Sequence, residues 1–223
     1  MGVYPGSPSS LVVDAKTGQR AGIALNLGEA LAERLAVPVQ VVEFERVAQV
    51  VDAIKAGVVD FTFTNATPAR AADVDFAPVL LQLELGYLVP PGSRIAAQDD
   101  VDKAGVRVGV TQGSSSLAAL SRSFRQAVLV PAASLKAAQD MLRKGEVHTY
   151  ATNKAVLYEM SQELPGYTVL PGRWGVENLA IAIPKGRAAA MPFVAAFGQE
   201  AQASGRLAAI VQKSGLRGTV PAP

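Results

Sequence analysis

The chain has 223 residues, 49% hydrophobic and 18% charged, with a net charge of +2 at pH 7. That is apolar material for one large or two small globular domains, with no charge run suited to nucleic acid or a membrane surface. It has no cysteine and one histidine, His148, which excludes disulfides and thiol chemistry and argues against a histidine-built metal site or a Ser-His-Asp triad.

No apolar run reaches the roughly 18–20 residues of a membrane span. No secretory leader precedes Tyr4-Pro5-Gly6, as expected of a cytosolic chain or of a mature, trimmed form.

In chain order, Gly6-Ser7-Pro8-Ser9-Ser10 is a loop by composition. Residues 11–13 are expected as a short strand followed by a turn. Asn26 is expected as a helix cap, followed by Leu27, Ala30, Leu31 and Leu35 on one face. Residues 37–44 are expected as a strand. Val47, Val50, Val51 and Ile54 then recur at helical spacing before Gly57, a left-handed terminator. Val59, Phe61 and Phe63 alternate with Asp60, Thr62 and Thr64, the pattern of a half-buried strand, and Pro68 lies beyond its end. Strand and helix alternate, so a parallel or mixed sheet covered by helices is predicted.

Arg70 follows that strand immediately, where an open α/β sheet keeps its ligand groups. Its planar fork suits a carboxylate or another oxyanion. It could equally pair on the surface with Asp73 or Asp75.

Residues 80–90 form a long apolar strand ending at Pro90-Pro91-Gly92, and a second alternating set begins. Strands are expected at 107–110, 128–130 and 147–152. Helices are expected after Ser114, after Ser134, and over 154–160. After a loop at 165–172 comes an apolar strand at 178–183, then two terminal helices at 191–204 and 206–215. The two α/β sets meet at crossings near 85–90 and 179–184. The predicted architecture is therefore two-lobed α/β, with lobe 1 built from 1–88 plus 184–223 and lobe 2 from 89–183. Each lobe is a mixed sheet flanked by helices, with a small ligand in the cleft between lobes and closure as a hinge motion.

In the second lobe, Val108-Gly109-Val110-Thr111-Gln112-Gly113-Ser114-Ser115-Ser116 joins a strand, a glycine turn and a serine-capped helix start. Free N–H groups, hydroxyls and the positive helix end make this a candidate anion site. Plain capping would need only one of the serines.

GQRAGIALNLGEALAERL, AIKAGVVDF, TPARAADVDF, VRVGVTQGSSS and LRKGEVHTYATN, in that order, resemble the family 3 extracellular solute-binding proteins of ABC transporters. These are of the polar amino-acid-binding type, with the type II periplasmic-binding fold, and the likeness runs from about residue 2 to about 215. The resemblance implies that Arg70, after the T-P-x-R turn, grips a ligand carboxylate. It implies that Asn65 and Thr67 line the pocket beside it, and that Ser114 and Ser115 bind the same carboxylate. The aspartate that normally holds an α-ammonium is replaced by Asn153, which offers an amide oxygen but no charge. The aromatic that often stacks on the ligand side chain is replaced near Ser7. These departures point to a small anion: a carboxylate lacking the amine, an amino-acid derivative, or a phosphonate-like group among the serines.

Tyr4 and Tyr87 are further candidates for the pocket wall, and Glu84 lies in an otherwise apolar strand facing either ligand or solvent. Trp174 either lines the cleft or plugs the hinge, and His148 is read as structural. The resemblance implies a monomeric, non-enzymatic receptor that needs no cofactor and does not bind nucleic acid. It would present a small-molecule ligand to an ABC permease from the periplasm, or from outside the cell on a lipid anchor. Two alternatives remain. A dehydratase of the arogenate or cyclohexadienyl type would need a general acid, for which Glu84, Glu177 and His148 are the candidates. A sensor domain of a membrane receptor would bind in the same way.

Overall fold

The computed structural model describes residues 1–14 and 16–220. The chain divides into two units, Met1–Gln82 with Asn178–Pro223, and Leu83–Glu177.

The first unit opens with β1 (Gly2–Val3), β2 (Val12–Val13), β3 (Arg20–Ala21) and α1 (Ile23–Arg34). It continues through β4 (Val42–Glu43), α2 (Val47–Lys55), β5 (Thr62–Asn65), α3 (Pro68–Ala71) and β6 (Val74–Phe76). Strand β7 (Leu81–Val89) carries the chain into the second unit. That unit holds β8 (Arg107–Thr111), α4 (Ser115–Ser123), β9 (Val128–Ala132), α5 (Leu135–Arg143), β10 (Thr149–Asn153), α6 (Lys154–Glu163) and β11 (Thr168–Val169). Strand β12 (Gly175–Pro184) returns the chain to the first unit, which ends with α7 (Met191–Ala203), α8 (Arg206–Lys213) and β13 (Thr219–Val220).

In the first unit, β5 and β6 both run antiparallel to β12, while β1 pairs parallel with β4. Val59, Phe61 and Phe63 are buried as expected, but only the stretch from Thr62 is a strand, and Thr62 and Thr64 are buried too, so it is covered on both faces rather than half-buried. The predicted strand at 37–44 shrinks to Val42–Glu43, because only that part has β1 to pair with.

Helix α1 corrects another expectation. Asn26 is not its cap; the helix starts three residues earlier, after Gly22, and Asn26 lies buried in the first turn with its Nδ2 donating to Glu29 (3.0 Å). The N–H groups of Ile23, Ala24 and Leu25 instead bond the carbonyls of Pro8, Ser9 and Ser10 (2.9, 3.1 and 3.4 Å). A folded-back loop thus satisfies the donors that a side chain satisfies elsewhere.

In the second unit, β9, β8 and β10 are parallel neighbours, and β10 and β11 flank β7 antiparallel. Pro131 is accommodated because β9 is an edge strand. Ser114, Ser134 and Asn153 cap α4, α5 and α6, each accepting from an N–H three residues on (3.1 Å in each case). The core gathers Tyr87, Val101, Val108, Val110, Leu120 and Ala151.

His148 is structural: its ring Nδ1 accepts from the Arg107 backbone N–H (2.9 Å), while the His148 backbone N–H donates to the Arg107 carbonyl (2.8 Å). Burial, and then the Arg107 charge, hold its pKa below the ordinary value of 6.5. The folded state needs the neutral ring, so this contribution is complete above about pH 6.5 and declines as pH falls below it. Urea midpoints should therefore decrease between pH 7.5 and 5.5, and His148→Gln should flatten that slope.

Candidate functional site

In the first unit, the exit of β5 is tied to β12. Asn65 Oδ1 accepts from Asn178 N–H (2.9 Å), and Ala66 N–H donates to the Asn178 carbonyl (2.7 Å). Thr67 caps the short α3, accepting from Arg70 N–H (3.2 Å). The turn therefore places Arg70 back over the strand it follows, and Nη1 donates to Thr64 Oγ1 (2.9 Å) and to the Asn65 carbonyl (3.2 Å). Two bonds on one nitrogen fix the plane of the guanidinium, the condition for bidentate recognition. Asp73 and Asp75, the surface partners considered for it, take Lys55 (2.8 Å) and Lys185 (3.4 Å).

Tyr4 and Ser7 belong to the same unit but differ in exposure. Ser7 is completely buried and shares a hydrogen bond with Ser9 (2.8 Å). It also accepts from the Tyr4 hydroxyl (3.4 Å), while Tyr4 N–H donates to Ser10 Oγ (2.9 Å). Ser7 thus holds the Tyr4 hydroxyl.

In the second unit, Gly113 adopts a positive φ of 71° that turns β8 into α4. Ser114 uses its hydroxyl as the cap, while Ser115 Oγ donates to Glu177 Oε1 (3.1 Å). Asn153 reaches the same group, its Nδ2 donating to Glu177 Oε2 (3.0 Å). Glu177 is only 7% exposed. Ser115, Asn153 and Glu177 therefore form one cluster at the starts of α4 and α6. Sequence reasoning named Glu177 only as a general-acid candidate, since nothing in Val176-Glu177-Asn178 marks it as part of this cluster.

Glu84 and Trp174 are placed apart from that cluster's hydrogen bonds. Glu84 pairs with Lys154 Nζ (2.6 Å) and Arg173 Nη1 (3.3 Å), and the Lys154 hydrogen bond foremost holds its carboxyl below the usual range. Gly86 permits this crossing, because a Cβ there would lie 3.2 Å from Lys154 Cγ and Cε. Lys154→Met should cost roughly 2–3 kcal/mol in urea unfolding, below the full penalty of a broken buried pair because Arg173 remains. Trp174 donates from Nε1 to the Gly86 carbonyl (3.1 Å), its ring centroid 6.2 Å from that of Tyr87. It packs against the second unit's core, and Tyr87, at 2% exposure, is core too.

The family of bacterial extracellular solute-binding proteins, family 3, matches residues 1–216. The chain belongs to this family. Over 147 residues this solute-binding protein is 26% identical to the ABC transporter glutamine-binding protein GlnH of Bacillus subtilis (strain 168). That match covers 66% of the chain and 54% of GlnH, so it spans about half the relative's length. The solute receptor for L-cysteine of Neisseria gonorrhoeae superposes with a TM-score of 0.84 at 27% identity, covering 96% of this chain and 87% of that one. The ancestral amino acid-binding protein AncCDT-1, a precursor of cyclohexadienyl dehydratase, gives a TM-score of 0.82 at 22% identity, covering 96% and 94%. The mixed α/β fold is that of the type II periplasmic binding proteins, as the resemblance implied. Among the described residues, no helix is long and apolar enough to cross a membrane, and no group of three or more acidic or histidine side chains could hold a metal.

Proposed function

We propose that this solute-binding protein is the receptor of an ABC importer, and that Arg70 grips the carboxylate of its small solute. The observation that carries this reading is the anchored guanidinium at the end of β5, held by Thr64 and Asn65. The first-turn N–H groups of α4, after Ser114, are a second candidate anion site, in the second unit. Ligand binding then favours the form that the permease recognises. The receptor acts as a monomer in the periplasm or at the outer cell surface. The relatives named for glutamine, L-cysteine and amino acids support a carboxylate-bearing solute.

A dehydratase needs a proton donor beside its substrate. Glu177 instead accepts hydrogen bonds on both oxygens, which favours binding over turnover. Titration calorimetry with small carboxylates and amino acids tests the proposal. At least one should bind the wild type and lose most of its affinity in Arg70→Ala. Binding indifferent to Arg70, or product formation during the titration, would overturn it.

A further inference from the structure

We infer that Gln82 and Asn178 are positioning residues for solute recognition, because together they hold the strand end on which Arg70 is seated. This rests on the reading above, in which Arg70 takes the solute's carboxylate. Gln82 interrupts the apolar run Val79-Leu80-Leu81-Gln82-Leu83, and Asn178 stands just before the apolar run from Leu179 to Ile183. Both are half-buried. Their side chains meet, Gln82 Nε2 donating to Asn178 Oδ1 (2.5 Å). Gln82 is the last residue of the first unit's opening segment, and Asn178 is the first residue of its return. This bond therefore joins the two points at which the chain leaves and re-enters that unit.

The backbone of Asn178 then reaches the seat of Arg70. Two antiparallel residues that form a hydrogen-bonded pair exchange both of their N–H to carbonyl bonds. Ala66 and Asn178 exchange one, from Ala66 N–H to the Asn178 carbonyl (2.7 Å). The return bond goes elsewhere: Asn178 N–H donates to the Asn65 side chain, at Oδ1 (2.9 Å). Asn65 is thus held by its side chain, while its carbonyl accepts from Arg70 Nη1 (3.2 Å). Gln82, Asn178, Asn65 and Arg70 form one line of hydrogen bonds inside the first unit. A planar fork recognises a carboxylate only in a defined orientation, so groups that hold its seat lower the ordering cost of binding.

The test titrates the whole chain with the standard L-amino acids, succinate and pyruvate, and takes the tightest of these as the probe. Gln82→Met keeps the length of the side chain without its amide, and Asn178→Ala removes the acceptor. Each should weaken the probe by roughly 3- to 10-fold, the worth of one hydrogen bond. The double variant should bind no more weakly than the single ones, since both remove the same bond. The series is then repeated in Arg70→Lys, whose ammonium has no plane to orient. There, neither substitution should weaken the probe further, whereas a general loosening of the fold would act with either residue at 70. Where Asn178→Ala fails to fold, Gln82→Met carries the same comparison. Wild-type affinity in these variants, or a loss that persists undiminished in Arg70→Lys, overturns the positioning role while leaving the receptor reading standing. Failure of every probe to bind the wild type, or wild-type affinity in Arg70→Ala, overturns both.

Discussion

Gly22→Ala should destabilise the first unit by about 3 kcal/mol or more. A Cβ at position 22 would lie 2.2 Å from the Ser10 carbonyl oxygen, 2.7 Å from its carbon and 3.0 Å from Leu11 Cα. All three are backbone atoms, so relief requires the loop itself to move. The same carbonyls of residues 8–10 receive the first three N–H groups of α1. Displacing the loop therefore weakens three hydrogen bonds at roughly 1 kcal/mol each, in addition to the strain of a backbone angle that L-residues rarely adopt. Gly57→Ala is the comparison: its φ is also positive, at 70°, but a Cβ there meets nothing within 4 Å. It should cost only about 1 kcal/mol. Urea unfolding of the two variants measures the difference, and similar midpoints would refute the loop-capping account of α1.

Arg70→Ala should reduce solute affinity by on the order of 100-fold or more, since it removes one side of a charge-assisted pair. Arg70→Lys separates charge from geometry. An ammonium keeps the positive charge but lacks the planar fork that Thr64 and the Asn65 carbonyl orient. It should recover only part of the loss, and full recovery would mean that charge alone matters. Arg70→Ala gives up the bonds to Thr64 and the Asn65 carbonyl, so thermal melts of both variants without solute are measured alongside, and calorimetry is read on the folded protein. Calorimetry therefore reports recognition here rather than folding.

The order of strands and helices, the buried positions Val59, Phe61 and Phe63, and the caps Ser114 and Ser134 were legible in the sequence. Each depends on side-chain period or on contacts three residues apart, which neighbours in the chain determine. The type II periplasmic-binding fold was legible in the order of its motifs. Arg70 could be read as standing just past a strand end, but its anchoring on Thr64 could not, because that needs the α3 turn to fold back. The two-residue strand β1 was missed, and β4 was expected too long at 37–44, for a related reason: such short segments carry no period and exist only through each other's hydrogen bonds.

The cap of α1 and the Ser115–Asn153–Glu177 cluster were decided by tertiary structure alone. Ser115 lies 62 residues from Glu177, and Asn153 lies 24 from it. Local pattern gave Asn153 as a position without a charge, but its hydrogen bond to Glu177 was not legible there. The sequence determines which residue types stand at each position and how each short segment buries itself. Which distant groups then share one buried space depends on how β12 returns past the starts of α4 and α6, and electrostatic complementarity is settled only there, because a buried charge answers to its spatial neighbours rather than to its sequence neighbours.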